Sequence, residues 1–440
     1  MTKPIIAIIG RPNVGKSTLF NRLIGQRVAV VSEVSGTTRD RVVQDAQWRD
    51  KTFLLVDTGG LEPEPESVLA TEVRQQVETA IETADVIIFV TDIRDGVTPV
   101  DRDIVDELRQ TNKPVVLAVN KADNNTLSIA AVDFYGLGIG SPIRISAHHN
   151  TGIDQVMTEA LSYINATDGE PDVANDELPL AIVGRTNVGK SALLNGILGE
   201  KRTIVSDVPG TTRDSIDTFM HYKDQNFLLI DTAGIRRRGR VEPGIEKYSV
   251  LRSVTAIERS EVVLLVLDAS DLVTAQDLHI AGQIVDSYKG VVVVINKWDL
   301  APEIGLDQAD VLTLLRERFR FMPYAPIRFV SATEGTNITD TLDAAKLVYN
   351  ERFQWVQPAQ LRAAVWDAMA AHQPPSQGKR SLRLQRVRQE AVAPPTISFY
   401  VNDPKLLHFS YKRYLENRLR HALGFRWTHL KLLFKGGKEL

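Results

Sequence analysis

The sequence predicts an α/β protein: two doubly wound, mostly parallel sheets in tandem, followed by a small α+β module. Three observations carry that expectation. Short β-branched apolar runs alternate with segments of helical spacing, the pattern of βαβ units whose strands are buried on both faces. Five short motifs occur twice in the same order. After Arg352 the motifs stop and the charge balance changes sign.

The first element is the apolar run Pro4–Ile9. It leads into Gly10-Arg11-Pro12-Asn13-Val14-Gly15-Lys16-Ser17, and helical spacing begins at Thr18 and lasts to Ile24. This strand–loop–helix stretch fits the P-loop pattern G-x-x-x-x-G-K-[ST]. Backbone N–H groups at a helix start turn toward an anion, and the helix dipole favours negative charge there. The glycines let the backbone approach phosphates, Lys16 would hold β and γ oxygens, and Ser17 would offer its hydroxyl to Mg²⁺. Further strand-like runs follow at Phe53–Val56, Val86–Val90, Val115–Val119 and Ile143–Ile145.

The second half repeats this. Leu178–Val183 precedes Gly184-Arg185-Thr186-Asn187-Val188-Gly189-Lys190-Ser191, and the later runs are Phe227–Ile230, Val262–Leu267, Val291–Ile295 and Ile327–Val330. An offset of 174 residues relates Gly10 to Gly184, Gly36-Thr37-Thr38-Arg39-Asp40 to Gly210-Thr211-Thr212-Arg213-Asp214, and Asp57-Thr58-Gly59-Gly60 to Asp231-Thr232-Ala233-Gly234. It becomes 176 for Asn120-Lys121-Ala122-Asp123 and Asn296-Lys297-Trp298-Asp299, and 185 for Ser146-Ala147 and Ser331-Ala332. A period this long marks a duplicated domain, not a solenoid of roughly 20–50-residue repeats. The expected limits are 1–165 and 179–350 for the copies and 351–440 for the tail. Between the copies, 166–178 is acidic, contains Gly and Pro and lacks periodicity, which reads as a flexible linker.

Placed at strand ends, the motifs gather at one sheet edge, where open α/β sheets bind ligands. Asp57 and Asp231 end apolar runs and would hold Mg²⁺. Gly60 and Gly234 would give a backbone N–H to a γ-phosphate. The paired threonines sit in loops that a Mg²⁺-bound triphosphate orders and hydrolysis releases; the second of each pair, Thr38 and Thr212, is the expected metal ligand. Asp123 and Asp299 select the base. A carboxylate accepts both N1–H and the exocyclic amine of guanine, a pair that adenine does not present, and ATP would leave that acceptor unpaired. Lys121 and Lys297 would cover the base with their aliphatic stems. The backbone N–H groups of Ala147 and Ala332 would meet the guanine keto oxygen.

These five motifs resemble the G1–G5 set of translation-factor-related GTPases. Two such domains with a basic tail resemble the Der (EngA) family of bacterial ribosome-assembly GTPases, over nearly the whole chain. The resemblance implies tandem P-loop GTPase domains with a KH-like third domain, GTP hydrolysis with Mg²⁺, and a role in maturing the 50S subunit through rRNA contact. Leu61 and Ile235 stand where Ras-type enzymes carry a water-orienting Gln. Similar GTPases use a potassium ion near the phosphates, held partly by the P-loop asparagine, here Asn13 and Asn187. The expected catalytic set is therefore Lys16, Lys190, Asn13, Asn187, Gly60 and Gly234. After the third motif the copies diverge: Glu62-Pro63-Glu64-Pro65-Glu66 in the first, Arg236-Arg237-Arg238-Gly239-Arg240 in the second. Opposite charge suggests different partners, the acidic loop for the basic third domain and the Arg-rich loop for RNA.

From Glu351 onward there are 16 Lys and Arg against 6 Asp and Glu, although the whole chain is at −3. Such asymmetry points to nucleic acid. The expected order in the tail is helix Ala359–Ala371, strands Leu382–Val387 and Thr396–Val401, helix Tyr411–Leu423 and strand His429–Phe434. Pro394-Pro395-Thr396 and the Tyr411-x-x-Tyr414-Leu415-Glu416-Asn417 helix carry the KH-like resemblance. No two of Gly378, Gly424, Gly436 and Gly437 make the G-x-x-G clamp of RNA-binding KH domains. Backbone contact would fall to Arg380, Arg383, Arg386, Arg388, Lys412, Arg413, Arg418 and Arg420, while Phe399, Tyr400, Tyr414 and Trp427 read as core. There is no cysteine, which excludes disulfides and thiolate metal sites. No apolar stretch approaches the roughly 18 residues of a membrane span, and Met1-Thr2-Lys3-Pro4 runs straight into a strand, unlike a signal peptide. A cytoplasmic, monomeric protein is expected. The competing readings are a protein-binding signalling GTPase without RNA contact and a P-loop kinase.

Overall fold

A computed structural model describes residues 3–25, 43–49, 51–57, 81, 83–111, 113–123, 130–167, 177–199, 203–206, 217–232, 235, 246–374, 376–377 and 380–436. The chain divides into two compact units. One comprises 1–175 with 241–255, the other 176–240 with 256–440.

The first unit holds a six-stranded sheet. Its strands are β1 Ile5–Ile9, β2 Val43–Trp48, β3 Lys51–Asp57, β4 Val86–Asp92, β5 Val115–Asn120 and β6 Ile143–Arg144, in the order β2-β3-β1-β4-β5-β6. All pairs are parallel except β2 with β3. Because successive strand residues face opposite sides, β1 feeds two cores. Ile6 and Ile8 join one with Leu19, Leu23 and Val156, and Ile5, Ala7 and Ile9 join the other with Ile104, Leu108 and Phe134. Helices α1 Lys16–Gly25 and α3 Ile153–Thr167 cover the first face, and α2 Pro99–Arg109 the second. This is the doubly wound sheet that the alternating runs predict.

The second unit repeats it with β7 Glu177–Val183, β8 Thr203–Ser206, β9 Thr218–Tyr222, β10 Gln225–Ile230, β11 Val262–Asp268, β12 Gly290–Asn296 and β13 Ile327–Phe329, ordered β13-β12-β11-β7-β10-β9-β8. Helices α4 Lys190–Gly199, α6 Ala275–Asp286, α7 Gln308–Arg318 and α8 Ile338–Arg352 accompany it, and α5 Glu246–Arg259 is divided between the two units after Thr255. Leu178, Leu180 and Ile182 pack on one face, and Ala181 and Val183 on the other. The antiparallel strands β2, β8 and β9 were not among the expected apolar runs. β2 and β9 alternate buried with more exposed residues, Ala46 and Trp48 or Met220 and Tyr222 facing in. Tight hairpins with Arg49 and Lys223 at positive φ join β2 to β3 and β9 to β10.

The third module shares the second unit. Helix α9 Pro358–Ala371 and helix α10 Phe409–Leu423 pack with β16 Leu384–Ala391, β17 Thr396–Val401 and β18 Lys431–Gly436; a two-residue pairing of β14 Ser376–Gln377 with β15 Arg380–Ser381 precedes them. β16 and β17 are antiparallel, β17 and β18 parallel. The α-β-β-α-β order is as expected, with shifted limits. β16 continues past Val387 through Arg388-Gln389-Glu390, because an edge strand pairs by its backbone whatever its side chains. β18 starts at Lys431, because His429 instead meets the second sheet's domain, with Tyr324 Oη 3.1 Å from His429 Nδ1. Phe399 is core, and the partly buried Trp427 packs on the second domain's core. Ala166 and Thr167 of the expected linker end α3 and Glu177 opens β7; 168–176 lie outside the described residues.

Candidate active site

In both units the central strand runs into the P-loop. β1 ends at Ile9 and β7 at Val183, each flanked by parallel neighbours on both sides, so the loop opens at the carboxyl edge where strand order reverses. Gly10 at φ 151° and Gly184 at φ 150° begin the two turns, and a Cβ there would sit 2.2 Å from the Val90 carbonyl oxygen or 2.4 Å from that of Val266. Asn13 and Asn187 both take φ 65°, a left-handed conformation asparagine tolerates well, and both side chains are exposed. Lys16 and Lys190 are buried over the loop. Lys16 Nζ donates to the Arg11 carbonyl at 2.9 Å, and Lys190 Nζ to those of Gly184 at 2.7 Å and Arg185 at 2.5 Å. The ammonium groups are thus held above the turn that an anion would enter.

The two asparagines of the fourth motif act as straps. Asn120 Nδ2 donates to the Val14 carbonyl at 2.8 Å while Asn120 Oδ1 accepts from Ala147 N at 2.9 Å. Asn296 does the same with Val188 at 2.9 Å and Ala332 at 3.0 Å. The N–H of each alanine, expected to face a guanine keto oxygen, therefore already donates to the asparagine. Lys121 and Lys297 sit at φ 64° and 62°. Lys121 Nζ bonds the Asn13 carbonyl at 2.8 Å and pairs with Asp92 at 2.5 Å; Lys297 Nζ pairs with Asp268 at 2.5 Å. Burial of Asp268 opposes its ionisation, but Lys297 and Ser270 outweigh this and lower its pKa. A cleft of about 380 Å³ in the first unit is lined by Gly15, Thr18, Arg94, Asn120, Lys121, Asp123, Ser146, Ala147, His148 and His149. Asp123 accepts from Ser146 Oγ at 2.7 Å, which with Arg94 holds its carboxyl below the usual range. Asp299 is half-buried, with Trp298 beside it packed on Phe329 at 4.4 Å between ring centres.

Of the expected metal ligands, Ser17 and Ser191 are exposed at the starts of α1 and α4, and Ser191 Oγ donates to the Ile235 carbonyl at 2.8 Å. Asp57 is buried at the end of β3, in register with Ile8 of β1. Asp231 follows β10 at φ 56°, its N–H held by Asp217 Oδ1 at 2.9 Å, and Asp217 is itself paired with Arg259 at 2.5 Å. Thr232 is buried, its hydroxyl 2.8 Å from that of Thr218. Thr37, Thr38, Thr58, Gly59, Gly60, Leu61, Thr211, Thr212, Ala233 and Gly234 lie outside the described residues. So do the acidic loop Glu62–Glu66 and the arginines 236–240.

Several residues near the site were not found from sequence. Arg11 and Arg185, expected as P-loop residues, each reach an acidic pair that was not, Asp95 with Asp101 and Asp271 with Asp277. The repeat carries this signal, since Asp95 to Asp271 and Asp101 to Asp277 keep the 176 offset. Arg94, His148 and His149 line the first cleft and are not repeated. Arg420 is corrected from an RNA contact to a buried group. It donates to the Phe425 and Thr428 carbonyls at 3.0 and 2.5 Å and to Glu416 at 2.8 Å.

A family model described as "50S ribosome-binding GTPase" matches residues 5–121 and again 179–297, and a "KH-domain-like of EngA bacterial GTPase enzymes, C-terminal" model matches 356–435. A GTPase Der of Herpetosiphon aurantiacus is 47% identical, with 100% of this chain and 98% of that protein aligned. A GTPase Der of Geobacillus thermodenitrificans is 45% identical over 100% of both. Among solved structures, Era in complex with MgGDPNP and nucleotides of 16S ribosomal RNA is 23% identical, covering 60% of this chain and 94% of that one, at a TM-score of 0.30. A probable GTP-binding protein engB is 22% identical, covering 37% and 99%, at 0.29. Matched twice by the GTPase model, once by the KH-like model and end to end by these relatives, the chain belongs to the Der family of tandem-domain GTPases and is a GTP hydrolase.

Proposed function

We propose that the chain binds and hydrolyses GTP at two Mg²⁺-dependent sites and, in the cytoplasm, serves as a monomeric, nucleotide-controlled factor in 50S subunit assembly, contacting rRNA. The division of labour is 1–165 and 179–350 for the two nucleotide domains, 166–178 for the linker and 351–440 for the RNA-facing module. The observation that carries the reading is the strap repeated in both units. One asparagine side chain joins the P-loop backbone to the fifth-motif backbone, beside an aspartate two peptide units beyond a left-handed lysine. That brings the P-loop turn and the Asp123 or Asp299 carboxylate onto one sheet edge, which supports a phosphate cradle beside a base-reading group.

In each site the P-loop N–H groups and Lys16 or Lys190 bind the phosphates, and Asp123 or Asp299 reads the base. Ser17 with Asp57, and Ser191 with Asp231, supply hydroxyl and carboxylate oxygens, the donors a hard cation prefers. Mg²⁺ keeps several waters and leans on substrate phosphates, so one hydroxyl and one carboxylate per site suffice from the chain. Thr38 and Thr212 complete that set, and Gly60 and Gly234 the γ-phosphate contacts. Mg²⁺ supplies charge neutralisation of the phosphate oxygens. Ile235 is buried in the second core, so its side chain orients no water. Water positioning or further charge must come from elsewhere, and the exposed Asn13 and Asn187 offer carboxamide oxygens that suit a potassium ion. GTP turnover in potassium should exceed that in sodium, and equal rates would remove the ion from the scheme.

Support for RNA contact is the exposed cationic set Arg383, Arg386, Arg388, Lys412, Arg413 and Arg418, together with the wording of the family model. No described helix is long and apolar enough to cross a membrane. The test is co-sedimentation with 50S particles in a GTP analogue and in GDP. Nucleotide-dependent pelleting that falls roughly a thousandfold between 50 and 200 mM salt is expected if six or more phosphates are met. Pelleting indifferent to both variables would favour a protein-binding role without RNA.

A further inference from the structure

The base-reading carboxylates of the two sites are alike in sequence but differently engaged. In the first, Asp123 Oδ1 accepts from Ser146 Oγ at 2.7 Å and Oδ2 accepts from the Arg94 guanidinium at 2.5 Å. His149 Nε2 stands 4.0 Å from Oδ1. Both oxygens of that carboxylate are covered by donors of the chain itself. In the second site the residue at Arg94's repeat position is Ser270, whose N–H and hydroxyl both go to Asp268 Oδ1, at 2.9 and 2.6 Å. Ser331 Oγ lies 3.3 Å from Thr333 Oγ1, and Asp299 Oδ1 is buried without a hydrogen-bond partner among the described residues. Glu334 takes the place of His149.

Guanine needs the same carboxylate edge for its N1–H and 2-amino donors. A serine hydroxyl can share an oxygen with the base, because each carboxylate oxygen has two lone pairs. The Arg94 guanidinium reaches Oδ2 through one nitrogen at 2.5 Å, and its planar head is far bulkier than a hydroxyl, so it crowds the oxygen that the base must approach. We propose that Arg94 is a specificity-determining gate of the first pocket: it pairs with an Asp123 oxygen that guanine must use, so the base binds there by displacing it, while no such competitor stands among the described residues of the second pocket. This rests on reading both clefts as guanine sites. The side chains of Arg94 and Asp123 are 58% and 22% exposed, so the pair is weak and screened by salt. The cost to the base is that of a largely exposed ion pair, about a two- to fivefold loss of affinity.

The experiment is titration of GDP and ADP into the full chain, with one pocket silenced at a time: Asp299→Ala to isolate the first site, Asp123→Ala to isolate the second. In the Asp299→Ala background, Arg94→Ser should tighten GDP about two- to fivefold at low salt, and the gain should shrink toward unity as salt rises and the pair is screened. Arg94→Lys should fall between. In the Asp123→Ala background, Ser270→Arg should weaken GDP at the second site by a similar factor. Unchanged or weaker GDP binding in Arg94→Ser, or a gain that ignores salt, would overturn the gate and leave the guanine reading standing. ADP bound as tightly as GDP by the unaltered Arg94 chain would instead overturn the guanine reading itself.

Discussion

Arg11, the second residue of the first P-loop, grips Asp95 through its NH2 nitrogen at 2.6 Å. Its Nε also stands 3.6 Å from Asp101, which is fully buried and closes the capping box of α2 with Thr98. Arg185 repeats this with Asp271 at 2.7 Å and Asp277 at 3.4 Å, at the start of α6. The P-loop is thereby tied to a helix N-terminus beyond the next strand. The Arg11 hydrogen bond, above all, lowers the Asp95 pKa, so the tie stays charged.

Arg185→Ala is therefore expected to leave the buried Asp277 carboxylate without its cation, costing about 1–3 kcal/mol of stability. It should also loosen the loop, weakening nucleotide on the order of tenfold at that site. Arg185→Lys keeps the charge and loses the fork, and should fall between. Denaturant midpoints and GDP titration read both effects. An alanine variant matching the parent in the two measurements would show the pair to be incidental.

The Asn296 strap predicts a coupled loss. Asn296→Ala strands the Val188 carbonyl and the Ala332 N–H, at about 1–3 kcal/mol. Gly189→Ala attacks the same strap from the other side. It sits at φ 93°, and a Cβ there would lie 2.1 Å from Asn296 Nδ2. Because both changes break one connection, the double variant should lose less than the sum of the two single losses, the excess over Asn296→Ala being the strain of alanine at positive φ. Additive losses in a double-mutant cycle would mean that the two residues act independently.

Chemistry at strand ends was legible from sequence, because a buried parallel strand announces itself by a continuous apolar run and the motif directly after it must lie at the sheet edge. The runs before Gly10, Gly184, Asn120 and Asn296 placed those residues correctly. β2 and β9 were not legible as apolar runs, since a half-buried antiparallel strand spends every second residue on solvent, as Asp45 and Gln47 or His221 show. The strap was hidden for a different reason. Asn120 and Val14 are 106 positions apart, and no local pattern tells a side chain that reads a base from one that braces a loop. Arg420 looked like its neighbour Arg418 because charge carries no direction; only the helix face that α10 buries separates them.

That separation is testable. Arg418 is exposed on α10, whereas Arg420 is buried, with its guanidinium 4.8 Å from the Tyr324 ring. Arg418→Ala should leave stability unchanged, weaken 50S binding and reduce the salt slope by about one. Arg420→Ala should destabilise the fold by roughly 2–4 kcal/mol, since the Thr428 and Phe425 carbonyls and Glu416 lose their donor. Thermal unfolding and salt-dependent pelleting distinguish the two; a fully stable Arg420→Ala protein would contradict the buried role.

His429 gives the third module's seat on the second domain a pH dependence. Its ring meets Tyr288 edge-on at 4.9 Å and Tyr324 at 5.6 Å, and its Nδ1 lies 3.1 Å from the Tyr324 hydroxyl. Loss of water around the ring, then the charges of Arg420, Arg352, Lys431 and Lys412, push its pKa down to about 3. The folded ring is therefore neutral where the unfolded one, with a pKa near 6.5, takes up a proton. Stability from this group is complete above about pH 6.5 and drains away as pH falls toward 3, because the unfolded chain binds the extra proton. Part of the ring surface stays exposed, so the expected loss from pH 6.5 to 5 is discounted to about 1 kcal/mol. His429→Phe keeps the aromatic packing and removes the proton site. The denaturant midpoint of the transition that includes Trp427 should slope with pH in the parent over this window and flatten in the variant; parallel slopes would assign the dependence to other groups.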